Sequence, residues 1–82
     1  MYYCYILLCT DNKTYIGATN DLKDRIQRHQ KGFVDATKRR LPVKLIMYFA
    51  FSSEHIAFQF EQYLKSGSDR AFLKKHFFGG VA

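Results

Sequence analysis

The stretch that most constrains this 82-residue chain is Thr14–His29, which reads Thr-Tyr-Ile-Gly-Ala-Thr-Asn-Asp-Leu-Lys-Asp-Arg-Ile-Gln-Arg-His. Its period changes partway through. Thr14-Tyr15-Ile16 is β-branched and aromatic and suits a strand. Gly17 leaves that strand without a side chain, so another backbone or a ligand can approach closely. Thr19-Asn20-Asp21 then supplies capping residues, and Leu22 and Ile26 follow one helical turn apart. Arg25 sits beside this apolar stripe, with His29 one turn further on. A strand that feeds a helix this directly presents a tyrosine, a bare backbone, an arginine and a histidine on neighbouring elements.

The flanking sequence extends the pattern. Tyr2–Cys9 reads as a strand and Thr10-Asp11-Asn12-Lys13 as turn chemistry, so Tyr2–Thr19 is expected to form a β-hairpin. Two registers are open. A two-residue loop at Asp11-Asn12 pairs Leu8 with Tyr15 and separates Tyr5 from Tyr15. A three-residue loop at Asp11-Asn12-Lys13 pairs Cys9 with Tyr15 and puts Tyr3, Tyr5, Tyr15 and Gly17 on one face.

Asp21–Lys31 is the first expected helix, ended by Lys31-Gly32. A loop follows over Phe33–Arg40, and Pro42 bars helix beyond it. Val43–Phe51 is almost entirely apolar and is expected to be a central strand buried on both faces. Ser52-Ser53-Glu54 opens a second helix with Ile56, Phe60, Tyr63 and Leu64 along its core side. Ser66-Gly67-Ser68 interrupts it, and a third helix is expected from Ser68 or Asp69 through Lys75. The order is β-β-α-β-α-α, an α+β arrangement of a small sheet covered by helices. One domain spans residues 1–82, with its core at about 2–78 and a short tail at 79–82.

Composition narrows the classes of partner. Eight Phe and six Tyr in so short a chain supply an aromatic core. A net charge of +6 points to a polyanion, with nucleic acid ahead of an anionic membrane surface. Cys4 and Cys9 lie at odd separation in one expected strand, face opposite ways and cannot bond to each other. Two such thiols fit a reducing, cytoplasmic setting. Tyr2–Cys9 is too short to span a bilayer and has no basic segment before it, so neither a leader nor a membrane span is read.

Each candidate site residue also has an ordinary structural explanation. Tyr3, Tyr5 and Tyr15 can be half-buried strand aromatics. Arg25 can clamp a phosphate or pair with Asp21. His29 can shuttle a proton or simply pack. Glu61 can hold a hard metal ion or pair with Lys65 one turn on. Lys38-Arg39-Arg40 is a solvated run, or a phosphate patch if it faces the site.

Taken in order, Tyr3-Cys4-Tyr5, then Tyr15-Ile16-Gly17, Thr19, Arg25 and a helix glutamate resemble the GIY-YIG nuclease family. The resemblance is closest to its small stand-alone members, and it runs from Tyr2 to about Phe78. Glu61-Gln62-Tyr63-Leu64-Lys65-Ser66-Gly67-Ser68 is similar to the same members. The resemblance implies a three-stranded antiparallel sheet, the register that unites Tyr5 with Tyr15, and an endonuclease dependent on a divalent metal, Mg²⁺ or Mn²⁺. It assigns catalytic roles to Tyr5, Tyr15, Arg25, His29 and Glu61, with Glu61 as the metal ligand. DNA is the implied substrate, RNA is a second possibility, and Gly17, Lys38, Arg39, Arg40 and Lys65 are the expected contacts. Tyr3 and Cys4 stand where the family signature has Gly and Ile. No Asn follows Asn20, so the asparagine that some members carry after the glutamate helix is absent. No separate targeting module is read in the sequence, so specificity is expected from a protein partner, from substrate shape, or not at all. The alternative is a module of the same fold that binds nucleic acid without cleaving it.

Overall fold

A computed structural model describes residues 1–68. The third helix expected through Lys75 and the tail at 79–82 lie outside the described residues. Strand β1 (Tyr2–Leu8), strand β2 (Thr14–Thr19), helix α1 (Leu22–Gln30), strand β3 (Lys44–Phe51) and helix α2 (Glu54–Tyr63) follow in chain order. A five-residue π-helical turn, Leu64–Ser68, continues α2. The strands form one antiparallel sheet in the order β2-β1-β3.

Alternation along β1 divides the molecule into two cores. Cys4 and Ile6 point to one face and pack with Ile16, Leu64, Phe49, Phe51 and Phe60. Tyr5 and Leu7 point to the other and pack with Cys9, Val43, Tyr15, Leu22 and Ile26. Helix α2 covers the first face and α1 the second. Each fully buried Ile or Leu here contributes about 1.5–3 kcal/mol by leaving water. Both cysteines are free and buried, one in each core.

The hairpin loop differs from both expected registers. Cys9 N donates to Lys13 O, Asn12 N donates to Cys9 O, both at 3.0 Å, and Asn12 has φ 62°. The loop is therefore Thr10-Asp11-Asn12, three residues long with Asn12 in the left-handed region. This is the geometry of a type I turn closed by a bulge. Tyr5 pairs with Gly17 and Leu7 with Tyr15. The odd loop length still keeps Tyr5 and Tyr15 on one face.

Strand β3 is a second correction. It lies at the edge and is only partly buried, and β1 occupies the centre. Its continuous apolar run has a local cause. The register shifts between Ile6 and Leu7, so Met47 pairs with Ile6 while Leu45 pairs with Leu7. Ile46 is the extra residue of a bulge. Leu45 consequently faces α1, whereas Met47, Phe49 and Phe51 face α2. A change of phase within an edge strand thus imitates a strand buried on both sides.

Helix α1 starts where its capping residue dictates: Asp21 accepts from Asp24 N at 3.1 Å. It ends in a Schellman motif, with Phe33 N donating to Arg28 O at 2.9 Å and Gly32 N to His29 O at 3.1 Å. Gly32 takes φ 80°, which only glycine adopts without strain. This stop turns the chain back so that the loop 33–40 passes over the end of the helix. Arg40 then ties that loop to the hairpin turn, its Nε 2.9 Å from Asp11 Oδ2. Thr10 N donates to Arg40 O at 3.0 Å beside it. At the start of α2, Ser53 accepts from Ile56 N at 3.3 Å.

Candidate active site

The α1 face of the sheet carries buried polar groups, which a purely structural core would avoid. Tyr5 is fully buried, and its hydroxyl lies 2.7 Å from His29 Nε2. His29 is fully buried as well, with Nδ1 2.8 Å from Thr37 Oγ1. Thr37 has no exposed surface. The result is a hydrogen-bonded line from the central strand through the end of α1 to the loop. Tyr15 closes one side, its ring 5.1 Å from the His29 ring and 6.4 Å from that of Tyr5.

Gly17 makes this arrangement possible. A Cβ built on it would lie 2.5 Å from the Tyr5 hydroxyl oxygen and 2.6 Å from Cζ. The close approach expected at Gly17 is therefore made by the Tyr5 ring. Gly17 is itself buried.

Arg25 reaches the same place from α1. It does not pair with Asp21, which caps the helix instead. Its Nε is buried with no hydrogen-bond partner. Such an orphaned donor on a permanently charged group is a ready contact for an anionic oxygen. Burial pushes the Tyr5 phenol above its ordinary value, and the adjacent Arg25 guanidinium opposes that rise. His29 is shifted down, first by burial and then by the Arg25 charge, so its ring is neutral at physiological pH.

Glu61 approaches from the other side of the sheet. It sits on α2 at 9% exposure, and Lys65 Nζ holds its Oε2 at 3.0 Å. Its charge adds to the rise at Tyr5, so the two belong to one electrostatic neighbourhood. The same carboxylate adds to the effect of burial at Cys4, whose thiol is pushed up to about 11 and is inert as a nucleophile near neutrality.

Among the described residues no three His, Cys, Asp or Glu side chains gather as a metal cage. A lone, nearly buried carboxylate does fit Mg²⁺, which retains waters and shares phosphate oxygens with its substrate. Lys65 is displaceable from it, being a flexible point charge on a half-exposed stem.

The basic run is less available than its composition implies. Arg40 is committed to Asp11, and Lys38 Nζ lies 3.2 Å from Asp35. Arg39 is exposed. Thr37 was not legible as a site residue, because its partner lies eight positions back across a reversal of the chain. The glycine stop at Gly32 was the one available signal that the loop returns toward α1.

The site is thus a small antiparallel sheet whose central-strand tyrosine rests on a glycine, beside an arginine and a histidine from helix α1. Residues 1–75 match the family model described as the GIY-YIG catalytic domain, and the chain belongs to that family. It is 41% identical to a UPF0213 protein of Pediococcus pentosaceus, over 92% of this chain and 83% of the relative. It is 42% identical to the UPF0213 protein YazA of Bacillus subtilis, over 78% of this chain and 66% of that one. The solution NMR structure of the UPF0213 protein BH0048 from Bacillus halodurans is similar along the whole chain, covering 100% of this chain and 95% of that one. That match has a TM-score of 0.55 at 30% identity.

Proposed function

We propose that this protein is a divalent-metal-dependent endonuclease that hydrolyses phosphodiester bonds in DNA. The observation that carries this reading is the buried Tyr5–His29 hydrogen bond beside an Arg25 guanidinium whose Nε has no partner. Phosphodiester hydrolysis needs a base for water, positive charge for the phosphorus, and help for the leaving oxygen. Tyr5 takes the proton of the attacking water. Arg25 neutralises the charge that develops on the phosphoryl oxygens. Tyr15 lies against both Tyr5 and His29 and orients the water or the phosphate. Glu61 would hold Mg²⁺ or Mn²⁺, which supplies Lewis-acid polarisation of the phosphate and stabilises the leaving oxygen.

Tyr5 has no exposed surface in the free protein. Its role as a base therefore requires Arg25 to move onto the substrate phosphate and open a path to the hydroxyl. An arginine with an unpaired buried donor is the side chain with most to gain from that movement. Lys38, Arg39 and Lys65 contact backbone phosphates, a role that supplies affinity without sequence preference. An open groove of about 520 Å³ on the same face, lined by Tyr3, Leu22, Ile26, Leu45 and Tyr48 among others, has room for the strand. RNA offers the same phosphodiester chemistry, and specificity falls to substrate shape or a protein partner.

One observation favours the non-cleaving alternative. Tyr48 is half exposed and meets Tyr3 edge-on at 6.1 Å, which makes a platform for base stacking. Stacking, however, gives no reason to bury Tyr5, His29 and Thr37 in a connected line. Glu61→Gln separates the two readings. Loss of Mg²⁺-dependent nicking with nearly unchanged DNA binding supports the enzyme. Retained metal-dependent nicking in a nuclease-free preparation removes Glu61 from the chemistry, and an inactive parent protein that binds DNA favours the stacking module.

A further inference from the structure

We infer that Thr37 is a positioning residue that fixes His29 as its Nε2–H tautomer, so that His29 donates a hydrogen bond to Tyr5 and is not the group that takes the Tyr5 proton. This inference rests on the reading of Tyr5 as the base, and it assigns the neighbouring groups their parts.

Three buried groups share the protons of the line Thr37–His29–Tyr5. The Thr37 hydroxyl is fully buried, and His29 Nδ1 is its hydrogen-bond partner, at 2.8 Å. In one direction along the line Thr37 donates and Nδ1 accepts, which gives the buried Thr37 proton an acceptor. A neutral imidazole that accepts at Nδ1 carries its proton at Nε2. Nε2 then donates to the Tyr5 oxygen 2.7 Å away. The opposite direction would have Nδ1–H donating to Thr37 and Tyr5 donating to Nε2. It leaves the Thr37 proton without an acceptor, whereas the first direction leaves the equally buried Tyr5 proton without one. In the phenol state each direction therefore strands one proton, and the base form of Tyr5 decides between them.

The phenolate state of Tyr5 discriminates more sharply. With Nε2–H, every donor meets an acceptor: Thr37 to Nδ1, Nε2 to the phenolate oxygen, and Arg25 alongside. With Nδ1–H, the lone pair of Nε2 would face a full negative charge at hydrogen-bond distance. Only the Nε2–H tautomer matches the site to the base form of Tyr5. In the phenol state the one unmatched proton belongs to Tyr5, at the end of the line that Arg25 borders. On this reading Tyr5 becomes the phenolate by losing that proton to bulk water once Arg25 has moved onto the substrate phosphate.

The ring is held from several elements at once. β1 supplies Tyr5, β2 supplies Tyr15, α1 supplies Arg25, and the loop beyond Gly32 supplies Thr37. The Schellman stop thus has a consequence beyond ending a helix, because it returns the loop to the ring it orients.

The test is a long-range ¹H–¹⁵N correlation spectrum of histidine-labelled protein at about pH 8, where the ring is neutral. It is read on the parent, Thr37→Val and Thr37→Ser, with Mg²⁺-dependent nicking measured on the same preparations. We expect the parent His29 to show Nε2–H and Thr37→Ser to keep it. Thr37→Val is expected to lose the preference and to nick at least about tenfold more slowly. A parent spectrum showing Nδ1–H overturns the inference, whatever the activity, and stands even if Thr37→Val does not fold. An unchanged tautomer and rate in a folded Thr37→Val also overturns it. Nε2–H that depends on Thr37, in a parent that never nicks DNA, upholds the assignment of the ring while the nuclease reading falls.

Discussion

The two faces of the sheet are built from alternate residues of the same strand, yet they obey different rules. The face under α2 is apolar except for Glu61 on the helix: Cys4, Ile6, Ile16 and Leu64 are buried and the Phe49, Phe51 and Phe60 rings pack on them. Phe60 meets Phe49 at 4.8 Å and Phe51 at 5.5 Å between ring centroids. The face under α1 buries a phenol, an imidazole and a hydroxyl in one hydrogen-bonded line, and leaves a guanidinium nitrogen unsatisfied. Apolar packing is non-directional and tolerates repacking, whereas a buried polar line must meet distance and orientation at every link. In a domain this small, one face supplies stability so that the other can hold groups whose burial opposes it.

Truncation of the two faces should therefore fail in different ways. Ile6→Ala removes buried methyl groups from the α2 side and should cost about 2–5 kcal/mol of unfolding free energy. The fraction that remains folded should nick at the parent rate. Equilibrium denaturation combined with a rate per folded molecule checks this, and a rate that collapses along with stability would mean the two faces are not separable. Gly17→Ala should be smaller in stability, about 1–3 kcal/mol from overpacking. Its effect on activity should exceed its effect on folding, because the atom it displaces is the Tyr5 hydroxyl.

Acid should discriminate between the faces more gently. The folded-state pKa of His29 lies below its unfolded value of about 6.5. The unfolded chain therefore binds the proton more readily, and stability falls as pH drops below about 6.5. The slope for one proton is at most about 1.4 kcal/mol per pH unit. Denaturation midpoints at several pH values should show this slope in the parent and lose it in His29→Gln. The smallest effect belongs to the basic loop. Arg40→Ala breaks a solvent-screened ion pair and should alter stability slightly, and more than it alters DNA affinity. Lys38→Ala and Arg39→Ala should instead flatten the salt dependence of binding with little effect on folding.

What could be read in advance followed from how local its cause was. Helix α1 begins and ends at the residues expected, because Asp21 and Lys31-Gly32 act within one turn of themselves. The shared face of Tyr5 and Tyr15 was one of two open registers and depended only on loop parity. The loop itself lies one residue earlier than expected, since Asn12 tolerates the left-handed conformation. Misreadings arose where the cause was distant. The bulge at Ile46 made an edge strand look central. Arg40 looked free because Asp11 lies 29 positions away. Gly17 looked open because nothing local says that a ring from the next strand fills it. Thr37, in a polar loop, carried no chemical pattern of its own.

The most direct test of the α1 face as a reactive site is the nicking rate of Tyr5→Phe, measured against pH beside the parent. The parent rate should climb about tenfold per pH unit through neutrality, because burial keeps the phenol above its ordinary value and the phenolate is the minor form. Tyr5→Phe retains the ring over Gly17 but leaves His29 without an acceptor, which should cost about 1–3 kcal/mol of stability. The folded variant should bind DNA and nick it roughly 10²–10⁴-fold more slowly, with the pH slope gone. A folded Tyr5→Phe protein that nicks at the parent rate, with the parent slope, would contradict the central claim.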